Sequence, residues 1–540
     1  MTHTSSLSMM AFPLTLDVLV RRAKADLGGT EIVSRRPDKS LHRTTYAQVT
    51  DRAEALARAL VDAGIRPGDR VATLMWNHAE HLEAYLGIPL AGAVLHTLNL
   101  RLHESEIAYI AGDAQDRFLI VDAVLLPLYR KVVAAGATFE KVIVVACDPH
   151  ELPDGAVAYE AFLAAAQAGT ALPVLHEDMP LGTCYTSGTT GKPKGVVYTH
   201  RSSVLHSLVS ALPDSLDLAR ADTLMPVVPM FHVNAWGLPY TALMVGAKLV
   251  LPGPHLDPAS LVDLLVREKV TVAAGVPTLW IGIRDLLDAS ADKPVLEAGL
   301  RMIVGGSAAP ERLIRDFDRL GMRLLHAWGM TETSPIGLVS VLPPHAAALS
   351  EDARYALRAK QGVPPPLVEI AIRNEAGQVP RDDKTSGELM IRSPWVAARY
   401  VGNHSEDRWT ADGFFRTGDV ARVDALGFVQ LTDRVADMIK SGGEWISSQE
   451  LENALMGHPA VREAAVIGVS HPKWSERPIA VVVLREGKQV TGDELRAFIA
   501  ERFAKFWLPD AFEFVDAIPR TSAGKFLKTA LRERFRDRAW

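Results

Sequence analysis

The first 340 residues alternate between helical and strand patterns of apolar positions. Thr45-x-x-Gln48 has the form of a capping box and precedes apolar residues at helical spacing. A turn at 67–69 separates this predicted helix from a buried strand at 71–75. The same alternation continues with predicted helices at 81–91 and 104–111 and predicted strands at 93–98, 118–121 and 141–146. This order of elements is typical of parallel α/β sheets.

A second α/β layer is predicted between residues 222 and 303. Its predicted strands cover 223–228, 248–251, 270–274 and 301–304. From 361 to 431 the pattern changes to short β segments separated by Gly and Pro turns, such as 388–392 and 428–431. The change predicts a small β-barrel-like subdomain after the two α/β layers.

Another compact unit of about a hundred residues is predicted after Asp433 and Arg434. It contains predicted helices at 448–457 and 491–502 and predicted strands at 461–469 and 479–484. A chain of 540 residues is too long for one core, so more than one domain is expected. We therefore predict an α/β fold in which a large N-terminal part precedes a small α+β domain.

Composition excludes several classes of protein. Hydrophobic residues make up 48% of the chain and charged residues 23%, as in ordinary globular proteins. The net charge of -6 provides no basic field for nucleic acid. The two cysteines, Cys147 and Cys184, are far apart in sequence, which argues against a disulfide scaffold and favours a reducing cytoplasm.

The sequence predicts neither a signal peptide nor a membrane span. Residues 1–24 lack a basic segment ahead of their apolar part. The longest apolar region, 84–100, contains Pro89, His96 and Asn99 and is too short to span a bilayer, so it is interpreted as a buried helix followed by a strand. A cytoplasmic protein is expected; peripheral membrane contact and a homodimer are both compatible with this sequence.

Residues 185–195, YTSGTTGKPKG, have the composition of a phosphate-binding loop. Three glycines let the backbone approach a ligand, while hydroxyls and amides offer donors to phosphate oxygens. Lys192 and Lys194 add positive charge. The P-loop pattern is not matched, because Pro193 follows Gly191-Lys192. The alternative is a flexible surface loop, which the density of donors disfavours.

The residue types of two further segments indicate ligand binding. Residues 326–333, HAWGMTET, provide an aromatic stacking face, a close turn, a hydroxyl that can donate to a phosphate and a carboxylate that can bind a metal ion. Residues 304–310 are predicted as a strand, a Gly-Gly turn and a helix with Pro310 as an early helical residue. A flat ligand edge can approach such a turn.

These motifs, in this order, resemble those of the acyl-adenylate-forming (AMP-binding) enzymes, which include acyl-CoA synthetases, peptide-synthetase adenylation domains and luciferases. KSGGEWIS at 440–447 and HPKW at 471–474 are most similar to bacterial medium- and long-chain fatty acyl-CoA synthetases. The resemblance covers nearly the whole chain. It implies an N-terminal adenylate-forming domain at 1–432, a hinge at 433–438 and a mobile α+β lid domain at 439–540.

The resemblance also implies a site for ATP and AMP. Asp419 would accept from two ribose hydroxyls with Arg434 assisting, and Trp328 stands where relatives most often have Tyr. Trp328 should keep the adenine stacking but lose any contact of the phenol. The implied nucleotide-binding residues are Thr186, Ser187, Gly188, Thr189, Thr190, Lys194, Gly305, Ser307, His326, Ala327, Trp328, Thr331, Asp419, Arg434 and Lys440.

The catalytic, acyl and CoA sites are implied in the same way. Lys525, near the C-terminus, would bridge the acid carboxylate and the α-phosphate, and Trp236 would gate the acyl tunnel. The implied catalytic residues are Lys525, His232, Thr331 and Glu332, and the implied Mg²⁺ ligands are Thr186 and Glu332. The implied acyl-site residues are Phe231, His232, Trp236, Gly305 and Gly306, with Trp445 and Lys440 on the CoA side.

The implied reaction has two steps. A substrate carboxylate attacks the α-phosphorus of ATP and expels pyrophosphate, and the thiol of CoA then takes the acyl group from the adenylate. Between the steps the C-terminal domain would swing about the hinge and withdraw Lys525. Relatives generally carry Asp or Lys at the hinge position held here by Ala436, so a side-chain contact of one orientation is expected to be missing.

The expected substrate is a medium- or long-chain fatty acid, and several alternatives stay open. The same chemistry could act on a short acid such as 3-methylthiopropionate or on an aromatic acid. A luciferase-like enzyme and an adenylation module that loads a carrier protein share the first step. A non-catalytic nucleotide-binding protein would be expected to lose Lys525 or Glu332, and both are present.

Overall fold

The structure is a computed structural model that describes residues 9–146, 149–186, 193–291, 294–403, 406–442, 444–520, 526–536 and 538. The strands are β1 (Glu31–Arg35), β2 (Leu41–Thr45), β3 (Arg70–Leu74), β4 (Val94–Thr97), β5 (Asp116–Asp122), β6 (Lys141–Val145), β7 (Val157–Ala158), β8 (Pro180–Tyr185), β9 (Gly195–Thr199), β10 (Thr223–Pro226), β11 (Lys248–Leu251), β12 (Val272–Gly275), β13 (Arg301–Val304), β14 (Arg323–Gly329), β15 (Ile336–Val339), β16 (Glu369–Asn374), β17 (Gly377–Gln378), β18 (Gly387–Arg392), β19 (Phe415–Val423), β20 (Val429–Arg434), β21 (Ile439–Ser441), β22 (Glu444–Ile446), β23 (Val461–His471), β24 (Ser475–Leu484) and β25 (Ala511–Phe514).

Helices cover the faces of the sheets. They are α1 (Leu16–Asp26), α2 (Tyr46–Asp62), α3 (Ala79–Leu90), α4 (Glu104–Ala114), α5 (Leu126–Ala134), α6 (Tyr159–Ala164), α7 (His200–Ala211), the single turn α8 (Val233–Trp236), α9 (Leu238–Val245), α10 (Pro258–Arg267), α11 (Pro277–Ala289), α12 (Glu311–Arg319), α13 (Glu351–Ala359), α14 (Ser448–Met456), α15 (Gly492–Ala500) and α16 (Lys528–Arg534). Among the described helices, none combines the length and apolar character needed to cross a bilayer.

Two large sheets form the predicted α/β layers. One has the strand order β7-β6-β5-β3-β4-β8-β9 and is parallel except for the β8–β9 pair. The other has the order β15-β14-β13-β12-β10-β11-β1-β2, with antiparallel pairs at its two edges. Helix α3 is buried along its whole length, because it lies in the apolar core between these layers. The predicted α/β class is confirmed.

The β-rich and α+β units follow in the predicted order. An antiparallel sheet, β17-β16-β18-β19-β20, forms the small subdomain. The C-terminal part has its own sheet, β22-β21-β24-β23 with β25 beside β24, and its own apolar clusters beneath α14, α15 and α16. A large N-terminal part followed by a small C-terminal domain is therefore confirmed.

Some local predictions have the observed bounds, others differ by up to four residues, and one is wrong. The capping box at Thr45 and Gln48 opens α2, and the strands predicted at 248–251 and 301–304 have those bounds. Pro310 is wrong as an early helical residue. It is the N-cap of α12 with an extended ψ of 137°, because helical geometry begins only at Glu311.

Candidate active site

A cavity of about 1990 Å³ lies where the two large sheets, the small sheet and the C-terminal domain meet. The loops that follow β8, β10, β13 and β14 open into it, as expected for ligand sites at the carboxyl ends of parallel strands. The predicted site residues that it brings together are Thr186, Lys194, Phe231, His232, Trp236, Gly305, Gly306, Ser307, His326, Ala327, Trp328, Thr331, Glu332, Asp419, Arg434 and Ala436.

The base of the predicted phosphate loop is closed by backbone pairing. The Thr186 amide donates to the Lys194 carbonyl at 2.9 Å, and the Lys194 amide donates to Thr186 Oγ1 at 3.3 Å. A Cβ on Gly195 would lie 2.9 Å from the Tyr185 ring, so glycine is required for this close approach. Ser187, Gly188, Thr189 and Thr190 lie outside the described residues, and their assignment stays a prediction.

Thr331 and Glu332 are buried in the turn after β14, at the wall of the cavity. The Tyr198 hydroxyl donates to the Thr331 carbonyl at 2.9 Å, and the Tyr400 hydroxyl donates to Glu332 Oε1 at 2.6 Å. Burial raises the pKa of Tyr400 above its usual range, so the phenol keeps its proton for this bond. These contacts fix the Thr-Glu pair against the cavity.

Tyr400 is a site residue that the sequence analysis missed. Its hydroxyl contacts Glu332, and its ring lies under the Lys194 ammonium at 5.3 Å. It therefore connects the carboxylate predicted to bind magnesium with a lysine of the phosphate loop. No local pattern around 393–401 distinguishes Tyr400, because both partners are distant in sequence.

The donor set fits a magnesium ion. Glu332 and Thr186 both line the cavity, and carboxylate and hydroxyl oxygens are the ligands that Mg²⁺ prefers. Within the described ranges, no cluster of three or more His, Cys, Asp or Glu side chains could hold a metal ion. Mg²⁺ takes most of its other ligands from water and substrate phosphates.

Asp419 accepts two contacts at the cavity wall. Its partner across the β19–β20 pair is Arg434, whose Nε lies 3.1 Å from Oδ1, and the Trp328 indole Nε1 donates to Oδ2 at 3.1 Å. The Asp419 carboxylate raises the pKa of Arg434, which keeps its charge. The Trp328 ring packs so closely on Gly337 that a Cβ there would lie 2.5 Å from it. The carboxylate is therefore held between a cation and an indole N–H.

His326 is neutral in this environment. Its Nδ1 lies 3.1 Å from the Ala359 carbonyl, and burial lowers the pKa of His326 to about 4. The ring anchors the end of β14 to the segment after α13. His326 lines the cavity, and a neutral imidazole there is compatible with its predicted contact with the nucleotide.

The predicted acyl wall is a strained turn. Residues 233–236 have φ values of 46°, 49°, 47° and 60°, a run of left-handed residues that costs free energy without glycine. The Trp236 ring is buried and lies on Gly305, where a Cβ would be 3.0 Å from Cη2. The edge of the Trp76 ring packs against Phe231 with centroids 6.0 Å apart. The turn holds Trp236 across the cavity.

Asn77 is a second residue whose role the sequence analysis did not predict. Its Nδ2 donates to the carbonyls of Pro226 and Val228, each at 2.9 Å, and its Oδ1 accepts from the Met230 amide at 2.8 Å. It thus fixes the segment that leads into Phe231 and His232. A buried asparagine after a strand gives no signal of this role without the tertiary contacts.

Lys440 and Trp445 lie elsewhere. They face each other across the β21–β22 pair, with Nζ 5.3 Å from the ring, and Trp445 is 52% exposed. Neither belongs to the described lining of the cavity. Lys525 lies outside the described residues, but Arg520 and Phe526 on either side of it pair with each other and line the cavity. The roles of all three residues stay predictions.

Comparison with known proteins identifies the family. A family model described as AMP-binding enzyme matches residues 21–401, and the model of the AMP-binding enzyme C-terminal domain matches residues 450–525. The chain belongs to the AMP-binding enzyme family. This AMP-binding enzyme is 49% identical to a long-chain fatty acid CoA ligase of Thermus thermophilus, over 98% of this chain and 97% of the relative.

Further relatives carry different substrate names. A 3-methylmercaptopropionyl-CoA ligase of Ruegeria pomeroyi is 44% identical over 98% of both chains. A medium-chain fatty acid CoA ligase of Ectopseudomonas oleovorans is 43% identical over 98% of this chain and 97% of the relative. The crystal structure of the anthranilate CoA ligase AuaEII with anthranoyl-AMP matches with a TM-score of 0.85, 26% identity and coverage of 97% and 98%. The AMP-binding enzyme thus has the adenylate-forming fold.

Proposed function

We propose that this enzyme is an ATP-dependent acid:CoA ligase that converts a medium- or long-chain fatty acid to acyl-CoA, AMP and pyrophosphate. The observation that carries the proposal is one cavity that joins the phosphate-loop base, buried Glu332, Asp419 and the Trp236–Gly305 wall. These groups suit phosphates, a metal ion, a ribose and an apolar tail, in that order. The relatives named as CoA ligases support the same reaction.

The first step requires two anions to meet. The acid carboxylate attacks the α-phosphorus, and an acyl-AMP bond forms as the bond to pyrophosphate breaks. Lys194 lines the cavity beside Tyr400 and is suited to hold phosphate charge. When bound, Mg²⁺ would neutralise phosphate charge, with Glu332 and Thr186 as its protein ligands. Lys525 would bridge the carboxylate and the α-phosphate, so catalysis is mainly positioning and charge stabilisation.

The second step passes the acyl group to the CoA thiol with loss of AMP. We propose that the C-terminal domain, residues 439–540, moves about the hinge at 433–438 and brings Trp445 and Lys440 toward the N-terminal domain, residues 1–432. The position of the hinge is supported by the sheets, because β20 ends at Arg434 and β21 begins at Ile439. Both CoA-side residues are exposed here, which leaves them available to a new surface.

The apolar wall favours a fatty acid. Besides Trp236, the cavity lining includes apolar side chains such as Val228, Val276 and Leu279. Apolar lining suits a hydrocarbon tail, whose burial contributes about 0.8 kcal/mol per CH₂. A short methylthio acid is the second candidate, since the Ruegeria pomeroyi relative, at 44% identity, is slightly more similar than the medium-chain one, at 43%.

A ladder of acids tests the proposal. Acyl-CoA and AMP formation is measured with ATP, Mg²⁺ and CoA for acetate, 3-methylthiopropionate, octanoate, palmitate and benzoate. The largest kcat/KM is expected for octanoate or palmitate. A maximum at 3-methylthiopropionate or benzoate would keep the reaction and replace the substrate class. Nucleotide binding without turnover of any acid would instead favour a non-catalytic nucleotide-binding protein.

A further inference from the structure

A buried chain of hydrogen bonds connects the end of the small sheet to the C-terminal domain. The Ser448 hydroxyl donates to Asp433 Oδ2 at 2.7 Å and accepts from Lys528 Nζ at 2.6 Å. Lys528 Nζ also lies 2.7 Å from Glu452 Oε1. Asp433 belongs to β20, Ser448 and Glu452 to α14, and Lys528 opens α16. We call these four residues the hinge network.

The hinge network is costly to bury. The side chains of Lys528 and Glu452 are 10% and 8% exposed, and Asp433 is 3% exposed. Burial raises the pKa of Glu452 to about 6 and also raises that of Asp433, which shows that desolvation opposes both charges. Buried ion pairs are often no more stable than apolar residues of similar volume. Here the hinge network fixes the relative positions of β20, α14 and α16.

That geometry crosses the proposed hinge. Asp433 lies before Ala436 in sequence, whereas Ser448 and Lys528 lie after it. The Ser448 amide donates to the same Asp433 oxygen at the N-terminus of α14, where a carboxylate is favoured. Ser448 and Glu452, the partners of Lys528, also follow Ala436, so the bonds of the network that cross the hinge are those from Ser448 to Asp433. These bonds attach α14 of the C-terminal domain to the last residues of the small sheet.

The same network reaches the cavity, because Asp433, Glu452 and Lys528 belong to the cavity lining. Phe526 and Leu527 line the cavity and directly precede Lys528, and the Leu527 amide donates to the Pro519 carbonyl at 2.8 Å. Fixing Lys528 on Ser448 thus fixes the segment that enters α16. This is the C-terminal flank of the turn in which Lys525 is predicted to act.

We propose that Ser448 and Lys528 are positioning residues for the adenylation step. Ser448 holds α14 on Asp433, and Lys528 holds the segment before α16 on Ser448, so that this segment lies at the cavity. Within the hinge network, only the bonds between Ser448 and Asp433 break when the domain turns for acyl transfer. The proposal rests on the proposed function, because it separates the two half-reactions of a ligase. It assigns to Ser448, which is not among the described lining residues, no contact with substrate, and to Lys528 the positioning of the segment before α16.

Two half-reactions provide the test. Acid-dependent exchange of pyrophosphate into ATP reports adenylation, and acyl-CoA formation from chemically prepared acyl-AMP reports transfer. We expect Ser448→Ala and Lys528→Met each to lower exchange by at least about tenfold, because each change removes two charge-assisted contacts of the hinge network. Transfer should stay within about twofold, and Lys528→Arg should recover part of the exchange. Lys488→Met, at an exposed lysine after β24, is the matched control and should change neither rate.

Thermal unfolding of each variant separates positioning from folding. If Ser448→Ala is too unstable, Lys528→Met and Lys528→Arg carry the comparison. Equal losses in both half-reactions, or no loss in either with an active wild-type enzyme, would overturn the positioning role and leave the proposed function intact. A wild-type enzyme that catalyses neither half-reaction would refute the proposed function and this inference with it.

Discussion

At the scale of single residues, the site depends on donors that orient carboxylates. Tyr400 donates to Glu332, and Trp328 donates to Asp419. The sequence predicted that Trp328 keeps a stacking face and loses a phenol. It could not predict that the indole N–H lies 3.1 Å from Asp419, because that contact joins β14 to β19 across two sheets. Trp328 therefore orients the predicted ribose carboxylate, and adenine stacking on its ring stays a prediction.

Replacing Trp328 with Phe should weaken ATP binding through the ribose. The variant keeps a ring but removes the N–H, so Asp419 Oδ2 loses its donor. We expect roughly fivefold weaker binding of ATP, about 1 kcal/mol. Binding of 2′,3′-dideoxy-ATP, which offers no ribose hydroxyl to Asp419, should fall much less. Isothermal titration calorimetry with both nucleotides measures the difference, and equal losses for the two would limit Trp328 to stacking or packing.

At the scale of elements, the turn between β10 and α9 shapes the acyl wall. Its left-handed residues at 233–236 place the Trp236 ring against Gly305 at the end of β13. Of these four residues only Asn234 has a tendency to left-handed geometry, so no local pattern predicts the turn. The resemblance identified Trp236, whereas its contact with Gly305 required the packed structure.

A side chain at Gly305 should displace Trp236 and change the acid profile. In Gly305→Ala the new Cβ would lie 3.0 Å from Trp236 Cη2 and 3.2 Å from the Ala327 carbonyl. We expect a rise of severalfold in KM for the preferred acid with a smaller change in KM for ATP, and partial recovery in Gly305→Ala/Trp236→Ala. Gly112→Ala, in α4 with no atom within 4 Å of the added Cβ, is the control. An unchanged acid profile in Gly305→Ala would show that the Trp236–Gly305 contact does not shape the acyl site.

At the scale of the whole molecule, the order of elements was predictable and their partners were not. The spacing of apolar residues and the capping box at Thr45 predicted α2, the parallel strands and the small C-terminal domain. The pairing of Ile32 with Leu249, which adds β1 and β2 to the second large sheet, depends on a contact between distant segments. For the same reason the roles of Asn77 and the hinge network were not predicted, because their contacts also join distant segments. Motifs locate residues that touch a ligand, whereas residues that position them are recognised by contacts.

The central claim is that one cavity joins an acid to AMP and then to CoA. The most direct test uses the preferred acid labelled with ¹⁸O in both carboxylate oxygens, together with ATP, Mg²⁺ and CoA. If the carboxylate attacks the α-phosphorus, thiol attack on the acyl-adenylate leaves one ¹⁸O in AMP, which mass spectrometry of the nucleotide detects. Label in inorganic phosphate with formation of ADP would contradict adenylation and require an acyl-phosphate route instead.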